Sequence, residues 1–149
     1  MLFCKLGLLP SRLIISFKFR NSSISFIFYE YYYVTTDKGQ YFVDKLDPFE
    51  CTHYIYGFAV LDDITYEMKV YDSWVDIDLG GYQKFTELKL QNRNLKTLIA
   101  IGGWNDSAFS NKYSILAADP VKRANFVSKA LAFVRQVKLS NLFEIHYLS

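Results

Sequence analysis

The chemistry that this sequence could carry is concentrated where an apolar run, residues 97–101, ends in Gly102 and Gly103 and is followed by Trp104 and the polar residues 105–107. A flat aromatic ring beside amide and carboxylate groups suits a sugar: the apolar face of the sugar stacks on the indole, and the hydroxyl groups bond to the polar side chains. The two glycines let the backbone turn sharply and leave room for a close approach. The alternative is a core tryptophan after an ordinary glycine turn, which composition alone favours.

Residues 97–101 predict a strand that is covered on both faces, because the apolar run shows no polar alternation. Trp104 would then stand at the carboxyl end of that strand, the edge where α/β folds place ligands. Strands and helices alternate along the rest of the chain, which implies parallel pairing through crossover connections. The predicted strands are residues 25–36, 51–61, 95–101 and 142–148, with a short hairpin excursion over 64–71.

Three helices are predicted between these strands. The first follows Gly80 and Gly81 and ends before residues 92–94, and the second covers residues 111–118. The third has the strongest start signal in the chain, with Asp119 as N-cap and Pro120 at the first helical position. The apolar stripe of the first helix is formed by Tyr82, Phe85, Leu88 and Leu90; that of the third is formed by Phe126, Ala130, Phe133, Val134 and Val137.

Length and composition exclude several classes of protein. A chain of 149 residues fits one modest domain. Its net charge of +2 is too small to argue for nucleic acid or acidic lipid. Basic residues interrupt the apolar segment 1–17, so it fits a signal peptide poorly, and no apolar run is long enough to span a bilayer. Cys4 and Cys51 leave one disulfide possible but have no metal-binding spacing.

Several phrases, in order, carry a specific resemblance. They are Leu-Asp-Pro at residues 46–48, Tyr-Gly-Phe-Ala-Val-Leu at 56–61, Tyr-Asp-Ser-Trp-Val-Asp-Ile-Asp at 71–78 and Gly-Gly-Trp-Asn-Asp-Ser at 102–107. Together they resemble the catalytic domain of glycoside hydrolase family 18, the chitinases and chitinase-like lectins, and most of all the large multi-domain chitinases. The resemblance is close over roughly residues 39–136 and loose over 25–38.

The resemblance implies an α/β fold, a TIM (β/α)8 barrel, which needs about 250 residues. This chain is expected to supply the first three or so units of an incomplete barrel. The division predicted from the resemblance is a poorly matching segment 1–38, the family segment 39–136 and a divergent tail 137–149 in place of the catalytic strand. Residues before about 40 and after 136 are expected to be non-family sequence joined to a true chitinase segment.

The resemblance also assigns the site residues. Trp104 is expected to line the sugar-binding cleft with Asn105 as its hydrogen-bonding neighbour, Phe58 to lie on the cleft floor, and Tyr31 to stand in for a sugar-contacting residue of the first strand. Gly102 and Gly103 are structural turn residues. The expected partners are chitin or N-acetylglucosamine oligosaccharides outside the cell, with no nucleic acid, membrane, metal or cofactor. Trp74 remains open between core and cleft rim.

The family's catalytic carboxylates are missing from the place where the resemblance puts them. The family hydrolyses chitin with retention and with help from the substrate's acetamido group, using an Asp-x-x-Asp-x-Asp-x-Glu motif directly after the third helix. Reading on from Gln136 places Ser140, Phe143, Ile145 and Tyr147 at those four positions, and Glu144 is out of register. The prediction is therefore a fragment of a secreted chitinase-like protein that is inactive alone; the alternatives are a chitin-binding lectin-like protein and a non-functional truncated product.

Overall fold

A computed structural model describes residues 4–9, 12–19, 22–30, 43–108, 110–139 and 141–145. The described strands form one seven-stranded sheet. These strands are β1 (Cys4–Leu9), β2 (Arg12–Phe19), β3 (Ser22–Glu30), β4 (His53–Leu61), β5 (Met68–Val70), β6 (Lys96–Gly102) and β7 (Asn141–Ile145). Predicted strand residues 31–36 and 146–148 lie outside the described part of the chain.

The described helices flank the later strands. They are α1 (Gly81–Gln91), α2 (Trp104–Ser107), α3 (Lys112–Ala118) and α4 (Pro120–Gln136). A 3-10 turn (Val43–Lys45) precedes β4, and a short π-helical turn (Trp74–Asp78) precedes α1. All three predicted helices are present, and the sequence prediction did not separate α2 from the loop after β6.

The sheet is built around four parallel strands. Its order is β1-β2-β3-β4-β6-β7, with the short β5 paired antiparallel to β4. β3, β4, β6 and β7 run parallel to one another, and α1 and α4 lie on the connections between them. This succession of strand, helix and strand confirms the predicted α/β class and is the repeating arrangement of a barrel fold.

The amino-terminal segment was not predicted as sheet. β1 and β2 form an antiparallel pair, and β2 continues the sheet by pairing antiparallel with β3. The basic residues that interrupt the apolar runs there argued against a signal peptide, and the same residues hid the strand alternation. The tertiary setting, an available edge on β3, determines the structure of this segment.

The core between the sheet and the helices follows the predicted apolar stripes with one exception. Phe85 of α1 is fully buried against Tyr54 and Tyr56 of β4. Val134 of α4 is buried in the same cluster. The prediction that Leu90 belongs to the apolar stripe of α1 is wrong, because Leu90 is 80% exposed. It lies two positions after Leu88 and so points away from the face that the sheet covers.

The predicted start of α4 is confirmed. Asp119 accepts hydrogen bonds from the backbone N–H groups of Val121, at 2.8 Å, and Lys122, at 3.1 Å. Pro120 occupies the first helical position, where no N–H is needed. This anchored helix covers the sheet after β6 and directs the chain back into β7.

Candidate functional site

Trp104 lies at the carboxyl end of β6, where it was expected. Gly102 ends the strand, Gly103 turns the chain, and Trp104 opens the single turn of α2. The side chain of Trp104 is 65% exposed, so the alternative of a core tryptophan is wrong. A large apolar ring is therefore held at the surface, on the ligand-binding edge of a parallel sheet.

Gly103 and Phe58 are in close approach. A methyl group on Gly103 would lie 3.2 Å from the ring of Phe58, on the neighbouring strand β4. Gly103 has φ 92° and ψ 165°, a conformation that only glycine adopts readily. Phe58 is half-buried and packs with Ile55 and Ala100 on the face of the sheet opposite the helices. Phe58 thus lies beneath the turn that presents Trp104.

Asn105 lies at a small polar cavity. The side chain of Asn105 is exposed, and the cavity has a volume of about 220 Å³. Its walls come from the ends of β4 and β5 and from the segment after β6; they are Leu61, Asp63, Lys69, Asn105, Asp106, Ser110 and Lys112. Since Leu61 belongs to the core under the helices, this cavity sits on the helix side of the rim.

Asp106 is the anchor of the α2 turn. Its Oδ2 accepts hydrogen bonds from the backbone N–H of Leu61 at 3.2 Å and from the Tyr113 hydroxyl at 2.5 Å. Its Oδ1 accepts one from Lys112 Nζ at 2.5 Å, and that ammonium group also donates to the Leu61 carbonyl at 2.7 Å. The two charged side chains are only 7% and 11% exposed. The ion pair therefore joins α2, α3 and the end of β4 in a largely dehydrated setting.

A second charged pair borders the cavity. Lys69 Nζ donates to Asp62 Oδ2 at 2.9 Å. This hydrogen bond raises the pKa of Lys69. The pKa of Asp62 is held well below its usual range by the backbone N–H of Thr65, by Lys69 and by the backbone N–H of Ile64. Both groups are thus charged at neutral pH.

The segment before α1 carries another exposed tryptophan above a buried carboxylate. Trp74 is 55% exposed, so of its two open assignments the core is wrong. Two residues later Asp76 is buried, and its carboxylate accepts hydrogen bonds from the Tyr56 hydroxyl at 2.7 Å and the Asp72 N–H at 3.2 Å. Burial raises the pKa of Asp76 and, together with the Asp76 charge, that of Tyr82.

β7 follows α4 in the sheet position next to β6. Its register pairs Ala100 with Phe143, Ile101 with Glu144 and Gly102 with Ile145. Ile101 belongs to the core cluster under the helices, whereas Ala100 belongs to the cluster on the opposite face. Tyr31, Ser140 and Tyr147, which complete the predicted sets, lie outside the described residues.

The structure brings Phe58, Gly103 and Trp104 together, with Asn105 beside them at the cavity. Sequence reasoning did not identify the hydrogen-bonded network of Asp106, Lys112 and Tyr113. Asp106 belongs to the Trp-Asn-Asp-Ser phrase, which was the one available signal. Its partner Leu61 is 45 residues away and contributes only backbone atoms, so no residue type along the chain marks this contact.

The part of the chain that the structure describes shows neither a metal site nor a membrane-spanning helix. Among those residues no group of three or more His, Cys, Asp or Glu side chains could hold a metal ion. No helix there is both long enough and apolar enough to cross a bilayer.

The comparison with protein families identifies the class. The model of glycosyl hydrolases family 18 matches residues 25–145, and the chain therefore belongs to this family. Probable chitinase 10 of Drosophila melanogaster is 41% identical over 101 residues, which are 68% of this chain and 4% of that protein. Probable chitinase 2 of the same fly is 38% identical over 110 residues, which are 71% of this chain and 22% of that protein.

Solved structures agree with this assignment. The Group IV chitinase of Ostrinia furnacalis superposes with a TM-score of 0.74 and 36% identity, over 80% of this chain and 32% of that chain. Catalytic domain 2 of the Ostrinia furnacalis Group II chitinase gives a TM-score of 0.72 and 37% identity, over 78% of this chain and 30% of that chain. The matched part of this chain thus corresponds to about a third of each solved chitinase chain.

Proposed function

We propose that the carboxyl edge of β4 and β6 binds chitin or N-acetylglucosamine oligosaccharides, with Trp104 as the stacking platform. The observation that carries this proposal is the 65% exposure of an indole on a turn that a buried ion pair holds in place. Single exposed apolar residues are common, so the support comes from the position of this ring, at the carboxyl edge of parallel strands where α/β folds bind ligands. Stacking of the indole on the apolar face of a sugar ring would cover it.

Relatives support the class of ligand. Catalytic domain 2 of the Ostrinia furnacalis Group II chitinase, 37% identical to this chain, has been solved in complex with penta-N-acetylchitooctaose, (NAG)5. The Group IV chitinase of the same moth, 38% identical, has been solved in complex with allosamidin. We carry this ligand class over to Trp104, Phe58 and Asn105, and to Tyr31 on the resemblance alone.

The three residues have different functions in this proposal. Trp104 supplies the apolar surface, and Phe58 supports the turn from below while lining the floor of the cleft. Asn105 is exposed and directly follows Trp104, so its amide can bond to the hydroxyl groups of a sugar that stacks on the indole. Glycine is favoured at position 103 because the backbone has φ 92° and an added methyl group would lie 3.2 Å from the Phe58 ring, a tight contact.

We propose further that this chain binds the sugar without hydrolysing it. Retaining hydrolysis by this family needs a carboxylic acid at the end of the fourth barrel strand. The residues assigned to the four motif positions, Ser140, Phe143, Ile145 and Tyr147, carry no carboxyl group. Glu144 lies out of register with these four positions. A chromogenic chitooligosaccharide should be left intact by the purified chain.

The whole protein is proposed to be a chitinase-like protein that works outside the cell, and the chain to supply the first units of its barrel. Sequencing of full-length cDNA across the codons for residues 135–149 tests both this and the loss of hydrolysis. A transcript that runs from Gln136 into an Asp-x-x-Asp-x-Asp-x-Glu strand would make the protein a chitinase and overturn the non-catalytic proposal. A transcript that encodes residues 137–149 as given would support it.

Binding is tested by retention on chitin beads. We expect the chain to be retained, and Trp104→Ala to abolish retention. Phe49→Ala is the matched control, because Phe49 is an exposed aromatic residue, 70% exposed, that precedes the amino end of β4. Equal retention of the wild type and Trp104→Ala would contradict the proposal, as would equal losses in both variants.

A further inference from the structure

We propose that Asp106 is a positioning residue for sugar binding: its carboxylate fixes the orientation of the α2 turn and thereby of the Trp104 indole. This inference rests on the proposed function for its binding readout. It also makes a claim about the motion of Trp104 that holds whether or not a sugar binds. The Gly-Gly-Trp-Asn-Asp-Ser segment at 102–107 would thus contain both the stacking residue, Trp104, and the residue that orients it, Asp106.

The contacts of Asp106 come from separate elements. One carboxylate oxygen is held by the end of β4, through the Leu61 N–H at 3.2 Å, and by the Tyr113 hydroxyl of α3 at 2.5 Å. The other oxygen is held by Lys112 Nζ at 2.5 Å. Because the carboxylate is 7% exposed, water competes little for these hydrogen bonds, and charge-assisted bonds of this kind are the strong ones.

The link from Asp106 to Trp104 is short and passes through the backbone. Trp104 and Asp106 belong to the same four-residue turn, α2. The N–H groups of Asp106 and Ser107 both donate to the Gly103 carbonyl at 3.1 Å, and the Ser107 hydroxyl donates to it at 2.9 Å. These bonds keep the turn intact as a unit. The bonds of Asp106 join that unit to β4 and α3, so they set the direction in which residue 104 projects.

Packing of the indole itself contributes less to its orientation. The side chain is 65% exposed, so a large part of its surface has no protein neighbour to restrict rotation. A ligand that stacks on a mobile ring must order that ring on binding, which lowers affinity. A rigid turn removes the backbone part of this cost, which is a reason to place a buried ion pair two residues from a surface platform.

The experiment follows the mobility of Trp104 directly. The chain contains two tryptophans, Trp74 and Trp104, so Trp74→Phe leaves Trp104 as the single indole reporter. Time-resolved fluorescence anisotropy of the full chain then measures the local motion of Trp104. The same samples are titrated with N-acetylglucosamine oligosaccharide, well below the melting temperature of each variant.

Three variants weaken the anchor to different extents. Asp106→Asn removes the charge with little change in shape, Tyr113→Phe removes one hydroxyl donor, and Lys112→Arg keeps the cation as a conservative replacement. Leu88→Ala is the control for lost stability, because Leu88 is a buried residue of α1 and makes none of the Asp106 hydrogen bonds. We expect Asp106→Asn to increase the amplitude of local Trp104 motion and to lower oligosaccharide affinity about tenfold, the equivalent of one charge-assisted hydrogen bond. Tyr113→Phe should show the same changes to a smaller extent, and Lys112→Arg should stay closer to the wild type.

Each outcome decides the inference. Increased motion in Asp106→Asn and Tyr113→Phe, with none in Leu88→Ala, supports it. Unchanged motion in both anchor variants, or equal motion in Leu88→Ala, overturns it. If Asp106→Asn does not fold, Tyr113→Phe decides. If the wild type binds no oligosaccharide, the proposed function fails while the anisotropy comparison still decides whether Asp106 positions Trp104.

Discussion

Gly103 is the residue whose backbone and surroundings both exclude a side chain. Its φ of 92° with ψ of 165° belongs to a region used almost only by glycine. A methyl group there would also lie 3.2 Å from the Phe58 ring. We expect Gly103→Ala to lower the free energy of unfolding by about 3 kcal/mol, measured by urea denaturation.

Gly80 provides the matched control for that measurement. It also has a positive φ, 73°, but with ψ 29° and no atom within 4 Å of an added methyl group. Gly80→Ala should therefore lower the free energy of unfolding by only about 1 kcal/mol, the cost of a left-handed backbone conformation for alanine. Equal losses in the two variants would show that the contact with Phe58 adds nothing.

Asp76 gives the stability of the protein a specific pH dependence. Burial raises its pKa, so between the unfolded value and the raised folded value the native state binds more protons than the unfolded state. The stabilising contribution of this group is complete below the unfolded pKa of about 3.8 and declines as pH rises through the folded pKa. Asp76→Asn cannot titrate. The unfolding free energy of the wild type minus that of Asp76→Asn should therefore fall as pH rises from 4.

Asp119 supplies a control of opposite sign. A hydrogen bond from Lys122 and bonds from the backbone N–H groups of Lys122 and Val121 lower its pKa. Its contribution is present above the unfolded pKa and is lost as pH falls through the lowered folded value. The unfolding free energy of the wild type minus that of Asp119→Asn should thus rise with pH, whereas the corresponding difference for Asp76→Asn falls. Two parallel curves would contradict the assignment for Asp76.

At the scale of elements, helix α1 carries both a fully buried apolar residue and an exposed one. Phe85 is fully buried against Tyr54 and Tyr56, whereas Leu90 in the same helix is 80% exposed. Phe85→Ala should cost about 3–5 kcal/mol of unfolding free energy because it leaves a cavity. Leu90→Ala should change it by less than about 0.5 kcal/mol. A large loss for Leu90→Ala in chemical denaturation would show that another surface covers this residue.

Local signals explain which elements could be predicted. The start of α4 was predictable because an Asp followed by Pro encodes both the cap and the first helical position. The strand at 96–102 was predictable because a doubly covered strand is continuously apolar. Leu90 was mispredicted since an approximate stripe in a short helix does not define its edge. β1 and β2 were missed because basic residues interrupt their apolar runs, and because β2 pairs with the edge of β3, which no local pattern describes.

The candidate site also has features with a local sequence signal and features that depend on tertiary contacts. Trp104 and its two glycines were singled out from residue types and spacing, but it was the family resemblance, and not composition, that favoured ligand contact over a core position. Whether the ring is buried or exposed could not be predicted from residue types, since that depends on what packs over α2. The Asp106 network escaped prediction because its partners include the backbone of Leu61, and a backbone group has no signature in sequence.

For the whole molecule, β1 and β7 are the outermost strands along the order of the described sheet, and the short β5 pairs only with β4. β1 pairs only with β2 on one side, and β7 only with β6 on the other. Such edges offer unpaired backbone donors and acceptors to another chain. We expect concentration-dependent self-association, seen as a rising mass in light scattering after size exclusion.

Proline within β1 should reduce this self-association, because proline removes a backbone hydrogen-bond donor. Successive N–H groups of a strand point to opposite sides, so one of Leu6→Pro and Gly7→Pro should remove an outward donor and spare the ladder with β2. A monomer at every concentration with a single cooperative melt would contradict edge pairing and would show that the sheet is stable without a further strand.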